Sequence, residues 1–138
     1  RIAVAHGNGL RMLNRFRSAM ARFDHILGRL ESRVEKIRIE IEAEARAKGV
    51  VTSVNPPKVH AMLLLIEEAK NMQVEAEAKM EELKAKYESL LLGENTGGIA
   101  EEARVIAEEL KSNLENFHDK LREISLGIPT VRLEINLR

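Results

Sequence analysis

The spacing of apolar side chains between residues 13 and 41 most constrains what this chain can become. Leu13, Phe16, Met20, Phe23, Leu27, Leu30, Val34, Ile37 and Ile41 follow one another at alternating steps of three and four. A repeat averaging 3.5 lies close to the 3.6-residue helical turn, so it holds one oily stripe toward a partner for about 40 Å at roughly 1.5 Å per residue. A lone helix cannot bury such a stripe. The pattern therefore predicts a long first helix over about residues 10–48 and demands further helices to cover it. Gly49 supplies its stop, and 50–57 loses the periodicity before ending in Asn55-Pro56-Pro57, an N-cap candidate followed by residues suited to a helix start.

Those further helices are visible. Over about 57–92 the stripe is Val59, Met62, Ile66, Ala69, Ala76, Met80, Leu83, Tyr87 and Leu90, with polar Gln73 at one register position. A glycine-rich turn at 93–98 separates it from a third helix, about 99–126, whose stripe is Ile99, Ala103, Ile106, Leu110, Leu114, Phe117, Leu121 and Ile124, with one extra residue marking a stutter before Leu114. Gly127 and Pro129 read as its end. Short connections return each helix beside its predecessor, which predicts an all-α, elongated antiparallel three-helix bundle with coiled-coil-like packing over 10–126. Met12, Ala19 and Ile26 flank the first stripe and Leu63, Leu64 and Leu65 the second, so each helix needs two neighbours over those stretches. A helical hairpin that dimerises meets the same requirement.

Composition supports helices and removes several alternatives. The 138 residues are 44% hydrophobic and 32% charged, enough apolar surface to escape disorder, but only 3% aromatic, too few for the usual β-sandwich. Without cysteine, neither a disulfide framework nor a thiolate-ligated metal is available. The ends follow a different pattern. Val131, Leu133, Ile135 and Leu137 alternate with polar residues, and Ile2 and Val4 flank Ala3 similarly. The alternation predicts short extended or strand-like termini, 1–9 and 127–138, either unpaired tails or strands that pair with each other or link subunits.

The net charge of zero hides an asymmetry. Residues 1–38 carry nine basic side chains, eight of them arginine, against three acidic; residues 59–127 carry eight basic against fifteen acidic. Two readings follow. The basic helix can pair with the acidic ones along its seams, or Arg11, Arg15, Arg22 and Arg29 can form an anion-binding face toward a phosphate polymer, an acidic protein or lipid headgroups. With the phenylalanines needed in the core, no base-stacking platform remains, which argues against nucleic acid. The longest apolar run, 61–66, is far too short to span a bilayer, although a basic amphipathic helix can lie on a membrane surface. The sequence opens without methionine, as expected of a processed or trimmed chain, and Ala3-Val4-Ala5 has the small-residue character of a secretory cleavage site.

Few residues invite chemistry. Glu115-x-x-His118 has the spacing used in carboxylate-bridged di-iron bundles, but a full site needs a second such pair and two more inward glutamates, and this is the chain's sole example. His6, His25, His60 and His118 fall on separate elements, the serines lie in no nucleophile motif, and His6-Gly7-Asn8-Gly9 lacks the strand and lysine of a phosphate loop. No catalytic, metal or cofactor residues are expected.

The stretch 22–37, RFDHILGRLESRVEKI, together with 59–70 and its ending Glu67-Glu68-Ala69-Lys70, resembles small helical proteins of streamlined candidate-phyla bacteria, usually predicted to be exported. The resemblance spans about 10–125. It implies an envelope-associated role and brings no catalytic residue. Together these features predict a non-enzymatic scaffold or assembly subunit acting through protein partners or self-assembly, with Val131, Leu133, Ile135 and Leu137 as candidate linkers and the arginine face as the alternative site.

Overall fold

A computed structural model describes residues 2–49, 57–93 and 96–136, with side chains over 9–49, 57–93 and 97–131. Three helices account for nearly all of it: α1 (Ile2–Ala47), α2 (Pro57–Leu91) and α3 (Thr96–Asn136). Each packs on the other two. Tyr87 of α2 lies against Gly9 of α1 at one end and Met62 of α2 against Gly127 of α3 at the other, so neighbours in sequence run antiparallel. The nine stripe positions predicted for α2 are all buried. Gln73, the polar exception, donates a hydrogen bond to Asp24 Oδ1 of α1 at 2.6 Å, which satisfies its amide at the seam.

Both described turns begin on glycines in the left-handed region. Gly49, at φ 71°, and Gly93, at φ 76°, adopt an angle that costs a side-chain-bearing residue free energy. The Gly49 amide donates to the Arg46 carbonyl at 3.0 Å and the Gly93 amide to the Leu90 carbonyl at 3.1 Å, closing α1 and α2 as helix C-caps do.

The outer boundaries depart from the sequence expectation. The backbone of α1 is helical from Ile2, through the predicted extended lead, and α3 continues through Gly127 and Pro129 to Asn136. Among the described residues there is no strand. Alternation misleads here because Val131 also stands three residues after Ile128 and seven after Ile124, and all three are buried on one helical face. Pro129 points to solvent and forfeits the amide that would reach the Ser125 carbonyl, at a cost of about 3 kcal/mol. Burying Ile128 and Val131 contributes roughly 1.5–3 kcal/mol each, so continuation wins. Thr130 Oγ1 adds a hydrogen bond to the Gly127 carbonyl at 2.6 Å. Val131 is thus occupied inside the bundle and cannot serve as a subunit link. The side chains of Leu133 and Ile135, and all of Leu137, lie outside the described residues.

Gly127 therefore does not end a helix, and Gly9 is not a loose lead. A Cβ on Gly9 would stand 2.6 Å from the Tyr87 ring, and one on Gly127 would stand 2.5 Å from Met62 Cε. Both glycines seat a large α2 side chain against a neighbouring helix, one at each end of the bundle.

Candidate functional site

The three interfaces are unequal: α2 packs most extensively on α3, while α1 and α3 share the least. The size of the α3 side chains explains where the gap falls. In the half holding the α1 C-terminus, Leu121, Ile124 and Ile128 fill the space beside Leu30, Val34 and Ile37, and all six are buried. In the other half, α3 offers Ala103 and Ala107, each several methylenes short of filling it. Phe16 of α1 is only partly buried beside them, and so is Phe23 farther along, next to Leu114.

Two adjoining hollows result, of about 530 and 380 Å³, sharing Arg15, Phe16 and Lys111 and so forming one groove between α1 and α3. Phe16, Ala103, Ala107 and Leu114 make its floor. One wall carries Met12, Arg15 and Ala19; the other carries Ala100, Arg104, Lys111 and Glu115. At one end stands Tyr87, whose hydroxyl reaches Met12 Sδ at 3.8 Å and whose burial pushes its phenol pKa up. The other end closes where Phe23 meets Phe117 edge-on at 5.7 Å and lies 5.5 Å from the His118 ring. Along α3 the lining runs from Ala100 to Asp119, about 28 Å at ~1.5 Å per residue, enough for some five helical turns.

Of the arginine stripe, Arg15 lines this groove. Arg11, Arg15, Arg22 and Arg29 are exposed on one face of α1, beside the row formed by Met12, Ala19 and Ile26. Among the described residues none of the four forms an ion pair. The bonds between helices use lysine instead: Lys70–Glu31 at 2.8 Å, Lys79–Glu109 at 2.5 Å, Lys86–Glu102 at 2.6 Å and Lys120–Glu68 at 2.7 Å. Each hydrogen-bonded carboxylate holds its lysine pKa above the ordinary value. All four pairs involve α2, and none joins residues 9–26 of α1 to residues 97–119 of α3. None of these four pairs joins a basic residue of α1 to an acid of α2 or α3, so the seam pairing expected from complementary charge is not what links the helices here, and Arg15 stands at the groove's edge.

Glu115 and His118 both line the groove at an exposed rim, and His118 Nδ1 stands 3.9 Å from Asp119 Oδ1. Among the described residues no three His, Asp or Glu side chains gather as metal ligands would, and no polar or charged side chain is fully buried. The groove presents apolar floor and charged edges, an arrangement suited to binding an amphipathic surface. Among the described residues no helix is long and apolar enough to cross a membrane. Sequence reasoning placed Arg15 on the basic face and Phe16 and Ala103 in the apolar stripes, but passed over Ala100, Ala107 and Lys111. A usable signal was present: two alanines where the rest of the α3 stripe is mostly larger.

Fold and site together define an all-α three-helix bundle with an apolar groove between its first and third helices. No family model, curated protein or solved structure matches the chain.

Proposed function

We propose that the chain is a non-enzymatic interaction module, a helical scaffold that takes an amphipathic helix into the α1–α3 groove. The observation carrying this reading is the half-covered apolar floor, where Phe16 lines a hollow with Ala103 and Ala107, and Phe23 a second one with Leu114, in a cleft of helical length. Two helices with an open seam lack a third neighbour, and a helix is the element whose shape fills it. The envelope as its location is proposed from the resemblance of 22–37 and 59–70 alone.

A display selection of helical peptides against the intact chain tests the reading. Enriched peptides are expected to share an amphipathic pattern and to lose binding to Ala19→Glu, which places a charge on the groove wall while leaving helicity unchanged. Failure to enrich, or binding indifferent to the substitution, contradicts it.

A further inference from the structure

The groove's occupant can be sought within the chain itself. On α2, Val74, Ala78 and Ala85, followed by the turn residue Leu92, recur at steps of four, seven and seven. These residues share a face of α2 that points away from the bundle. Val74 is 65% exposed and Leu92 76%, and the two alanines are exposed between them. Glu81 and Glu88, seven and fourteen residues after Val74, share its register, with Glu77 on one side and Glu75 and Glu82 on the other. Among the described residues Glu77, Glu81 and Glu88 form no ion pair. This part of α2 is therefore a low ridge with acidic shoulders and no partner in its own bundle.

The ridge matches the groove in three ways. Its charge is opposite on the α1 side, where Arg15 lines the groove and exposed Arg11 and Arg22 share its face of α1, while Glu77, Glu81 and Glu88 of the ridge form no ion pair among the described residues; the α3 wall is mixed, with Arg104 and Lys111 beside Glu108 and Glu115. Its length from Val74 to Leu92 is about 27 Å at ~1.5 Å per residue, against about 28 Å for the groove. Its height in the bundle is also the same. Tyr87 lies at the level of Gly9, Gln73 at the level of Asp24, and Lys86 at the level of Glu102, so residues 73–90 of α2 stand level with the two stretches that wall the groove.

We infer that the α1–α3 groove receives the Val74–Leu92 ridge of a second copy of this chain. In a three-helix bundle the seam between two helices faces away from the third, so groove and ridge lie on opposite sides. A copy displaced sideways without inversion then brings ridge to groove in register, and its α2 runs antiparallel to both walls. Such an interface is heterologous. The receiving copy still offers its own ridge and the entering copy its own groove, so assembly continues into rings or filaments rather than stopping at a two-fold dimer. Small ridge residues permit close approach, and the paired charges set register and make association sensitive to salt.

This inference rests on the groove's being an interaction site, and sedimentation of the intact chain with two variants separates the two claims. Val74→Arg spoils the ridge at an exposed position; Ala19→Glu spoils the groove, with Ala100→Glu on the opposite wall as a second version; circular dichroism checks that all three remain helical. The unmodified chain is expected to exceed dimer mass as concentration rises and to dissociate as salt rises. Each variant alone should lose every species above monomer. Mixed together, the intact groove of the first should accept the intact ridge of the second, restoring a complex of two chains and nothing larger. A chain that stays monomeric at low salt, one that stops at dimer, or variants that fail to pair on mixing overturns the inference. If selected peptides meanwhile bind the unmodified groove and not the Ala19→Glu variant, the interaction site stands and only its occupant is refuted.

Discussion

The two halves of this bundle use one repeat to opposite effect. In α1 the alternation of threes and fours runs unbroken from Leu13 to Ile41, yet Leu30, Val34 and Ile37 are sealed while Phe16 and Phe23 are partly open. Leu13 and Met20 are buried even in the open half, so the difference lies in what α3 offers the phenylalanines: Leu121, Ile124 and Ile128 fill one half, while Ala103 and Ala107 leave space beside Phe16. A heptad stripe therefore states which face of a helix is buried, whereas the side-chain volumes facing it decide how completely. Packing is sensitive to single methylenes, so a pair of alanines is enough to turn a core into a groove.

Truncation should expose the contrast most strongly. Phe117, fully buried where the groove ends, is expected to cost about 3–5 kcal/mol when replaced by alanine, and Ile37 in the closed half about 2–5 kcal/mol. Phe16→Ala should lose roughly half as much as Phe117→Ala, because part of its ring already meets water. Urea unfolding of the three variants decides. Equal losses for Phe16 and Phe117 would mean that the groove is as well packed as the core.

The paired glycine seats sharpen the comparison. A methyl on Gly9 meets the Tyr87 ring, which is rigid, whereas one on Gly127 meets the end of Met62, which can swing aside. Overpacking costs about 1–3 kcal/mol, offset by the ~1 kcal/mol that alanine gains over glycine within a helix. Gly9→Ala should accordingly destabilise by up to about 2 kcal/mol, and Gly127→Ala should be neutral or stabilising by up to about 1 kcal/mol. Thermal unfolding of both proteins checks the order, and a reversal would contradict the packing described at one end.

The smallest effect is electrostatic and concerns the ion pairs of α2 and α3. Lys70, Lys79, Lys86 and Lys120 have pKa values raised by their hydrogen-bonded glutamates. Their contribution is complete below the unfolded lysine value, about 10.4, and disappears as pH rises through the higher folded values. Glu101, lowered chiefly by its hydrogen bond from Arg104, behaves oppositely: its contribution is present above the unfolded carboxylate value and is lost as pH falls through the folded one. Exposure makes both effects modest. The melting temperature should fall slightly at strongly alkaline pH, less so in Lys79→Met.

Most of the architecture was legible in the sequence because burial on a helix follows a period. Every stripe position named on α2 is buried, and Gln73, the one polar interruption, has a partner in Asp24. The ends were misread because three or four residues can satisfy a period of two and a helical period together, as the segment around Val131 does. Gly127 reads as a helix end and Gly9 as part of an extended lead because a missing Cβ signals a turn or a close approach equally well, and only the position of Met62 or Tyr87 distinguishes them. The groove was the least legible part. Arg11, Arg15, Arg22 and Arg29 announce a basic face, but whether such a face is neutralised depends on which side chains lie across it, and the lysines of α2 and α3 occupied the acidic partners.

Because the chain contains no cysteine, one pair of introduced thiols can read the assembly geometry directly. Ala19→Cys and Ala78→Cys place one thiol on the groove wall and one on the ridge, on opposite sides of a single bundle. Mild oxidation of the doubly substituted chain should yield a ladder of multimers, with mass spectrometry finding at each junction a disulfide from position 19 of one molecule to position 78 of the next. Absence of a ladder, or junctions joining two copies of the same position, would contradict the docking of ridge into groove.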